Sequence, residues 1–412
     1  MSKSNTKKLV GQPIFKQIFN LLPTAVIHRV VLKHQSDRYY KSFSTLDELF
    51  TLLFGIFERC DSAREVCDGM ATMSGKLNYL GMESAPAKST FNDALNRRSE
   101  KVFEAIYFAL VAYFAPLLSD SRKEGISFEH FFAFDSTTIR LFSEVLKGVG
   151  RKLKGLGKQK GGMKVHMLTD VHADCSKFVT MSDARMHDKK FLQYLTFLPI
   201  GCMIVFDKAY NFYWQFAKWT QEGIFFVCRL KDNAKYEVVE TLFEQELSEK
   251  QSGVMKEEHI HLKYTENKKE QTLCLRKVTY RDEKGRIYQF ITNNWDITAE
   301  EVALIYKYRW SIELVFKKLK QNFQLHFFYS ESENGIKTQV WATLIAHLLL
   351  TVLMRQSKTN KAFSTVAALI RIHFTSLLDL FWVIQNGRRS YQKRTKSKTK
   401  VPNAIQMSIF DG

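Results

Sequence analysis

Cysteine is sparse in this 412-residue chain. The six cysteines, Cys60, Cys67, Cys175, Cys202, Cys228 and Cys274, are scattered with no CxxC pair. That spacing argues against a zinc ribbon or a disulfide framework. Several of them sit in apolar runs and read as small core residues, which fits a reducing compartment. Long apolar runs are also missing. No stretch reads as a membrane span, and the opening Met1-Ser2-Lys3-Ser4-Asn5-Thr6-Lys7-Lys8 is polar and basic, unlike a signal peptide. Acidic residues fall short of basic ones, 42 against 61, for a formal charge of +19. Positive charge on that scale calls for a polyanion partner, and nucleic acid fits better than a lipid surface. A basic, glycine-rich loop (Lys152, Lys154, Gly155, Gly157, Lys158, Lys160, Gly161, Gly162) lacks the GxxxxGKS/T order of a phosphate-binding P-loop. It reads as a hairpin tip with Lys158 and Lys160 against a phosphate backbone, or as a solvated surface loop.

What is present is enough chain for two or three domains. Residues 9 to about 120 read as helical, with apolar stripes over 15–22, 46–57 and 102–117. Between the first two lies a polar, basic and aromatic stretch from His28 to Lys41. Further on, Thr90 and Asp93 have capping-box spacing ahead of Arg97 and Arg98. Short helices with a capped, polar-faced second member resemble helix-turn-helix modules. On that reading 1–126 is an all-α DNA-binding domain with Arg97 and Arg98 as contacts; the plain alternative is a helical domain with solvated charges.

The character changes at Ser127. Phe131-Phe132-Ala133-Phe134-Asp135-Ser136-Thr137-Thr138-Ile139 reads as a strand with a carboxylate inside it. Such a group is costly to bury unless it is paired or binds a cation. Residues 164–170 and 178–181 read as neighbouring strands, and His187-Asp188 as a helix cap. Gly201-Cys202-Met203-Ile204-Val205-Phe206-Asp207 is a continuous apolar run, typical of a central strand, that ends on a second aspartate. A helix over 212–221 and a strand over 224–228 complete a parallel crossover, and ligands in such sheets gather at the carboxyl ends of the strands. From 231 to 288 the pattern alternates and is turn-rich, a β-rich insertion. His259 and His261 share one strand face there, as ligands or as a solvated face. Beyond 330 come apolar helices and a basic end with Arg388, Arg389, Lys393, Arg394, Lys396, Lys398 and Lys400.

The stretch from Ile305 to Lys320 has good helix formers and neither Gly nor Pro, and Thr298 with Glu301 marks its start as a capping box. Read as one continuous helix, it sets Tyr306, Arg309, Glu313 and Lys320 on one stripe roughly 60° wide. One carboxylate beside two cations and a phenol suits metal and phosphate handling; surface pairing of Glu313 with Arg309 or Lys317 is the simpler use.

Asp135, Asp207 and Glu313 together are a donor set for Mg²⁺, a hard cation that takes oxygen ligands. Three converging carboxylates can hold two ions ~4 Å apart for phosphodiester chemistry. The Tyr306-x-x-Arg309-x-x-x-Glu313-x-x-x-x-x-x-Lys320 spacing resembles the Tyr-Arg-Glu-Lys signature of DDE-type transposases of bacterial insertion sequences, the fourth-family branch. The resemblance spans about residues 10 to 330. It implies an α/β fold in which an RNase H-like catalytic domain over 127–330, with its β-rich insertion at about 231–288, lies between the helical domain and C-terminal helices over 331–412. It implies Asp135, Asp207 and Glu313 as ligands of two Mg²⁺ ions, with Mn²⁺ able to substitute. Tyr306, Arg309 and Lys320 then contact the element's end, and Tyr288, or Trp295 near it, is the counterpart of an aromatic that stacks on a flipped base. The expected activity is cut-and-paste transposition on double-stranded DNA, both terminal inverted repeats and target, by a homodimer in the cytoplasm at the nucleoid. A transposase-derived repressor and another RNase H-like nuclease are the alternatives.

Overall fold

The computed structural model describes residues 9–73, 75–118, 125–140, 150–151, 160–183, 188–248, 251–323, 325 and 327–386. The N-terminal third is helical: α1 (Ile14–Phe19), α2 (Thr24–His34), α3 (Thr45–Glu58), α4 (Ala63–Ala71), α5 (Lys88–Arg97) and α6 (Glu100–Leu118). The first half of the basic stretch expected between helices is itself helical, as α2, which ends with its C-cap Gln35 in the left-handed region. Ser44 and Asp47 form a full capping box on α3. The box expected at Thr90 and Asp93 does not form. α5 starts earlier, with Ala87 at its N-cap and no side-chain cap, so Thr90 already lies inside the first turn. Asp93 instead pairs with Arg97 at 2.8 Å.

The strands follow: β1 (Phe131–Arg140), β2 (Gly150–Arg151), β3 (Lys160–Asp170), β4 (Cys175–Asp183) and β5 (Met203–Phe206), then α7 (Tyr213–Gln221) and β6 (Phe225–Arg229). The insertion supplies β7 (Tyr236–Glu244), β8 (Gly253–Glu266), β9 (Lys269–Arg281) and β10 (Ile287–Thr292). Next come α8 (Ala299–Lys307), α9 (Trp310–Asn322), α10 (Glu333–Gln356), α11 (Phe363–His373) and α12 (Leu380–Asn386). The strands make one sheet in the order β2-β3-β1-β5-β6-β10-β9-β8-β7, with β4 also on β3. β1 pairs antiparallel with β3 and parallel with β5, and β5 pairs parallel with β6. The insertion is therefore an antiparallel extension of the central sheet through β10 on β6, not a separate body.

Each sheet face has its own core. On one, α7 packs Phe216 and Trp219 against Phe206 and Phe226 of the parallel strands. The other face shares a continuous core with the helices. That core joins chain segments that the sequence divides. Phe374, after α11, packs against Phe15, Phe19, Phe54 and Phe57 of the N-terminal helices. The three-part division is thus one of chain order, since the first and last thirds pack together. α10 is the axis of this core, buried along most of its length. It and α6 are each long and apolar enough to cross a membrane, contrary to the expectation that no stretch approaches a span. In the fold the apolar surface of α10 faces other helices, so its composition reflects a buried position.

Candidate active site

Two aspartates meet because of strand register. β1 and β5 pair from Phe131 opposite Met203 to Ala133 opposite Val205. Both chains then advance two residues, to Asp135 and Asp207, on the same face of adjacent parallel strands, where neighbouring backbones lie about 5 Å apart. Asp207 directly follows β5, which ends at Phe206, and stands at the N-cap of the 3₁₀ turn after it.

The helical half of the site departs from the expected single helix. α8 ends at Lys307 and α9 begins at Trp310, joined by three-residue hydrogen bonds: Tyr308 N to Ile305 O at 3.0 Å, Arg309 N to Tyr306 O at 3.0 Å and Ser311 N to Tyr308 O at 2.9 Å. The 60° stripe drawn for a continuous α-helix therefore does not hold. In a 3₁₀ turn, side chains three apart eclipse, and the Arg309 guanidinium lies 5.8 Å from the centroid of the Tyr306 ring. The joint divides the polar residues between the aspartates. Tyr306 Oη donates to Asp207 Oδ1 at 3.2 Å. Arg309 Nη1 donates to Glu313 Oε1 at 2.5 Å and lies 3.6 Å from Asp135 Oδ2. Lys320 sits at the rim, its Nζ 3.3 Å from the Thr138 carbonyl of β1. The structure thus brings Asp135, Asp207, Glu313, Tyr306, Arg309 and Lys320 to one place.

The electrostatics show a concentration of negative charge. Burial pushes the Asp135 carboxyl up to about 7, and Glu313 and Asp207 push the same way, against the Ser136 amide and Arg309. One guanidinium does not neutralise three carboxylates. An all-oxygen, net negative donor set of this kind fits hard divalent cations, so Asp135, Asp207 and Glu313 would hold them. The same shift has a consequence for stability. Between about pH 4 and 7 the folded chain keeps a proton on Asp135 that the unfolded chain has released, so stability falls as pH rises through that window. Asp135→Asn cannot ionise. In chelator it is expected to melt about 2–5 °C above the parent at pH 8, with little difference at pH 5. Thermal unfolding at both pH values checks this, and an equal shift at both would exclude charge as the cause.

Sequence reasoning missed Tyr210, whose Oη lies 3.5 Å from Asp135 Oδ1. Its signal was the Asp207-x-x-Tyr210 spacing at the turn after β5. Asp188, expected as a cap, opens a short 3₁₀ helix and accepts from Ser136 Oγ at 2.8 Å, with Lys164 Nζ at 3.0 Å. It therefore anchors the strand residue next to Asp135.

Other expected contacts lie elsewhere. Arg97 is on the surface, paired with Asp93. Arg98 is not: its guanidinium is buried against Glu48, donates to the Phe43 carbonyl at 2.8 Å and stacks 4.0 Å from the Tyr40 ring centroid. Burial removes it from the set of surface contacts. Tyr288 is also buried, parallel to Phe290 and under Arg229, and so cannot receive a base. Trp295, between β10 and α8, is 46% exposed. Lys160 opens β3 opposite Arg151. Lys158, the rest of the 152–159 loop, His187 and the basic end lie outside the described residues.

The family described as Transposase DDE domain matches residues 126–349, which contain every residue of the cluster. A second family, a domain of unknown function (DUF4372), matches residues 10–83. The chain is 28% identical over 277 residues to the transposase-named protein y4zB of Sinorhizobium fredii, covering 66% of this chain and 73% of that one. A Geobacillus stearothermophilus protein named for a transposase of insertion sequence element IS5377 is 28% identical over 226 residues, 54% of this chain and 58% of its own. The transposase for insertion sequence element IS231D of Bacillus thuringiensis is 23% identical over 385 residues, 74% of this chain and 79% of its own. Among solved structures, a piggyBac transposase synaptic complex with hairpin DNA superposes with a TM-score of 0.43 at 10% identity, covering 95% of this chain and 86% of that one.

Proposed function

The chain belongs to the transposase DDE-domain family, and we propose that Asp135, Asp207 and Glu313 carry its cleavage and strand-transfer chemistry by holding two Mg²⁺ ions. The protein is a transposase of the insertion-sequence kind. The observation that carries the assignment is the register of β1 against β5, which sets two aspartates side by side under the one glutamate of α9. When bound, such ions activate the attacking oxygen and stabilise the leaving one. Tyr306 orients Asp207 by its hydrogen bond, and Arg309 holds Glu313 toward Asp135. Lys320, at the rim, is placed to meet the phosphate backbone of the element's end. The sheet order β4-β3-β1-β5-β6, antiparallel for the first three strands and parallel for the last, supports the RNase H-like class. Trp295 takes the place of Tyr288 as the aromatic for a displaced base, because it is the exposed one. Terminal inverted repeats and target DNA are the double-stranded substrates, engaged by a homodimer, and the N-terminal helices with Arg97 add contacts to the repeats.

With Mg²⁺ and a fragment ending in the element's inverted repeat, the protein is expected to join the fragment's 3′-hydroxyl to target DNA. Sequencing the joints checks this. Hydrolysis without joining would reduce the activity to that of a nuclease.

A further inference from the structure

The outer strands of the sheet carry a second cluster of metal-ligating side chains, chemically unlike the first. His259 and His261 alternate along β8, on the face opposite Ile260 and Leu262, which enter the α7 core. Cys274 of β9 is the direct cross-strand partner of His261. One ligand atom from each of the three lies within 4.8 Å of the others. β6 and β10 stand between β9 and the strand that ends at Asp207, so the cluster is separate from the carboxylates.

From this geometry we propose that His259, His261 and Cys274 form a site for a borderline-soft divalent cation of the Zn²⁺ class. Two imidazoles and a thiolate select such an ion over Mg²⁺, which prefers oxygen. A tetrahedral ion with nitrogen and sulfur ligands needs donors about 3.5 Å apart, so closure from the present spacing takes rotamer changes of about 1 Å. The strands already fix the three backbones, so little ordering is required. A further observation points the same way. His259 Nε2 is buried with no hydrogen-bond partner among the described residues, a costly state that coordination would relieve. Cys274 is the exposed one of the six cysteines. Arg276, opposite His259, faces the same side, but its charge is held by Glu257 at 2.7 Å. Trp295 stands edge-on to His259 with ring centroids 5.2 Å apart, closing one side of the site. Three protein ligands leave a fourth position for water or an outside donor. The ion would clip β8 to β9 beside the exposed tryptophan.

The test uses the full-length protein, stripped of metal and then titrated with Co²⁺ in excess Mg²⁺. Thiolate coordination is expected to appear as a sulfur-to-cobalt charge-transfer absorption in the near ultraviolet at one ion per chain. Cys274→Ser should abolish the band, and His261→Ala should weaken Zn²⁺ competition at least tenfold. Asp135→Asn should leave both unchanged, which separates this site from the carboxylates. Cys274 is exposed, so its serine variant folds even if a histidine variant does not. Absence of the band, or its survival in Cys274→Ser, would overturn the proposal.

Discussion

Asp135→Asn, Asp207→Asn and Glu313→Gln proteins each bind DNA carrying the terminal repeats nearly as tightly as the parent and cut it slower by a factor of about 10³ or more. The expectation follows from what each change removes. Every replacement is isosteric and takes away one negative charge without opening a cavity. Asp135 and Asp207 each lie two residues beyond the paired Ala133 and Val205, core residues that the substitutions do not touch. Asp135→Asn even relieves a buried charge, so loss of activity there cannot be laid to unfolding. Binding survives because it rests on Lys and Arg contacts to phosphate, which these substitutions leave in place. Gel-shift titration and single-turnover cleavage on the same DNA separate the two effects. A variant that cuts within a few-fold of the parent rate would remove its residue from the site. Glu313→Gln differs from the other two in that it leaves Arg309 a neutral acceptor in place of the carboxylate it meets at 2.5 Å.

Arg98→Ala is expected to destabilise the chain by about 3–5 kcal/mol, among the largest effects of any single surface-looking arginine. The sequence places Arg98 beside Arg97 as a DNA contact, but the fold uses the two differently. Arg98 is 1% exposed and Glu48, its partner on α3, is 0% exposed. The guanidinium also donates to the Ser36 carbonyl at 3.2 Å and the Phe43 carbonyl at 2.8 Å, tying the segment between α2 and α3 to the end of α5. Removing it leaves the Glu48 carboxylate buried without its counter-charge. Burial already pushes that carboxyl up to about 7, with Arg98 pulling the other way. The deficit therefore narrows as pH is lowered, because protonation removes the stranded charge. Arg98→Lys should recover only part of the loss, since an ammonium lacks the planar fork. Urea unfolding midpoints at pH 8 and pH 5 give the measurement. An unchanged midpoint with weakened DNA binding would return Arg98 to the set of DNA contacts.

The sequence alone singled out the candidate carboxylates and the type of element around each. The aspartate inside an aromatic strand, the aspartate closing an apolar run, and the glutamate about four turns into a capped segment were legible because each is a polar residue in a pattern that otherwise demands burial. The crossover from β5 through α7 to β6 was legible for the same reason, since period and apolar run length are local properties. Tertiary structure alone decided what depends on contacts between distant segments. The break at Tyr308 and Arg309 carries no Gly or Pro signal; it arises where α8 and α9 must each face a different aspartate. Arg97 and Arg98 are indistinguishable as text, yet one is exposed and one buried, because Glu48 comes from a helix fifty residues earlier. Tyr288 is buried by the face of β10 it occupies, set by register against β9, while Trp295 lies beyond the strand and stays exposed. Local pattern fixes an element's type and apolar face; only packing between elements decides which polar side chains share a site.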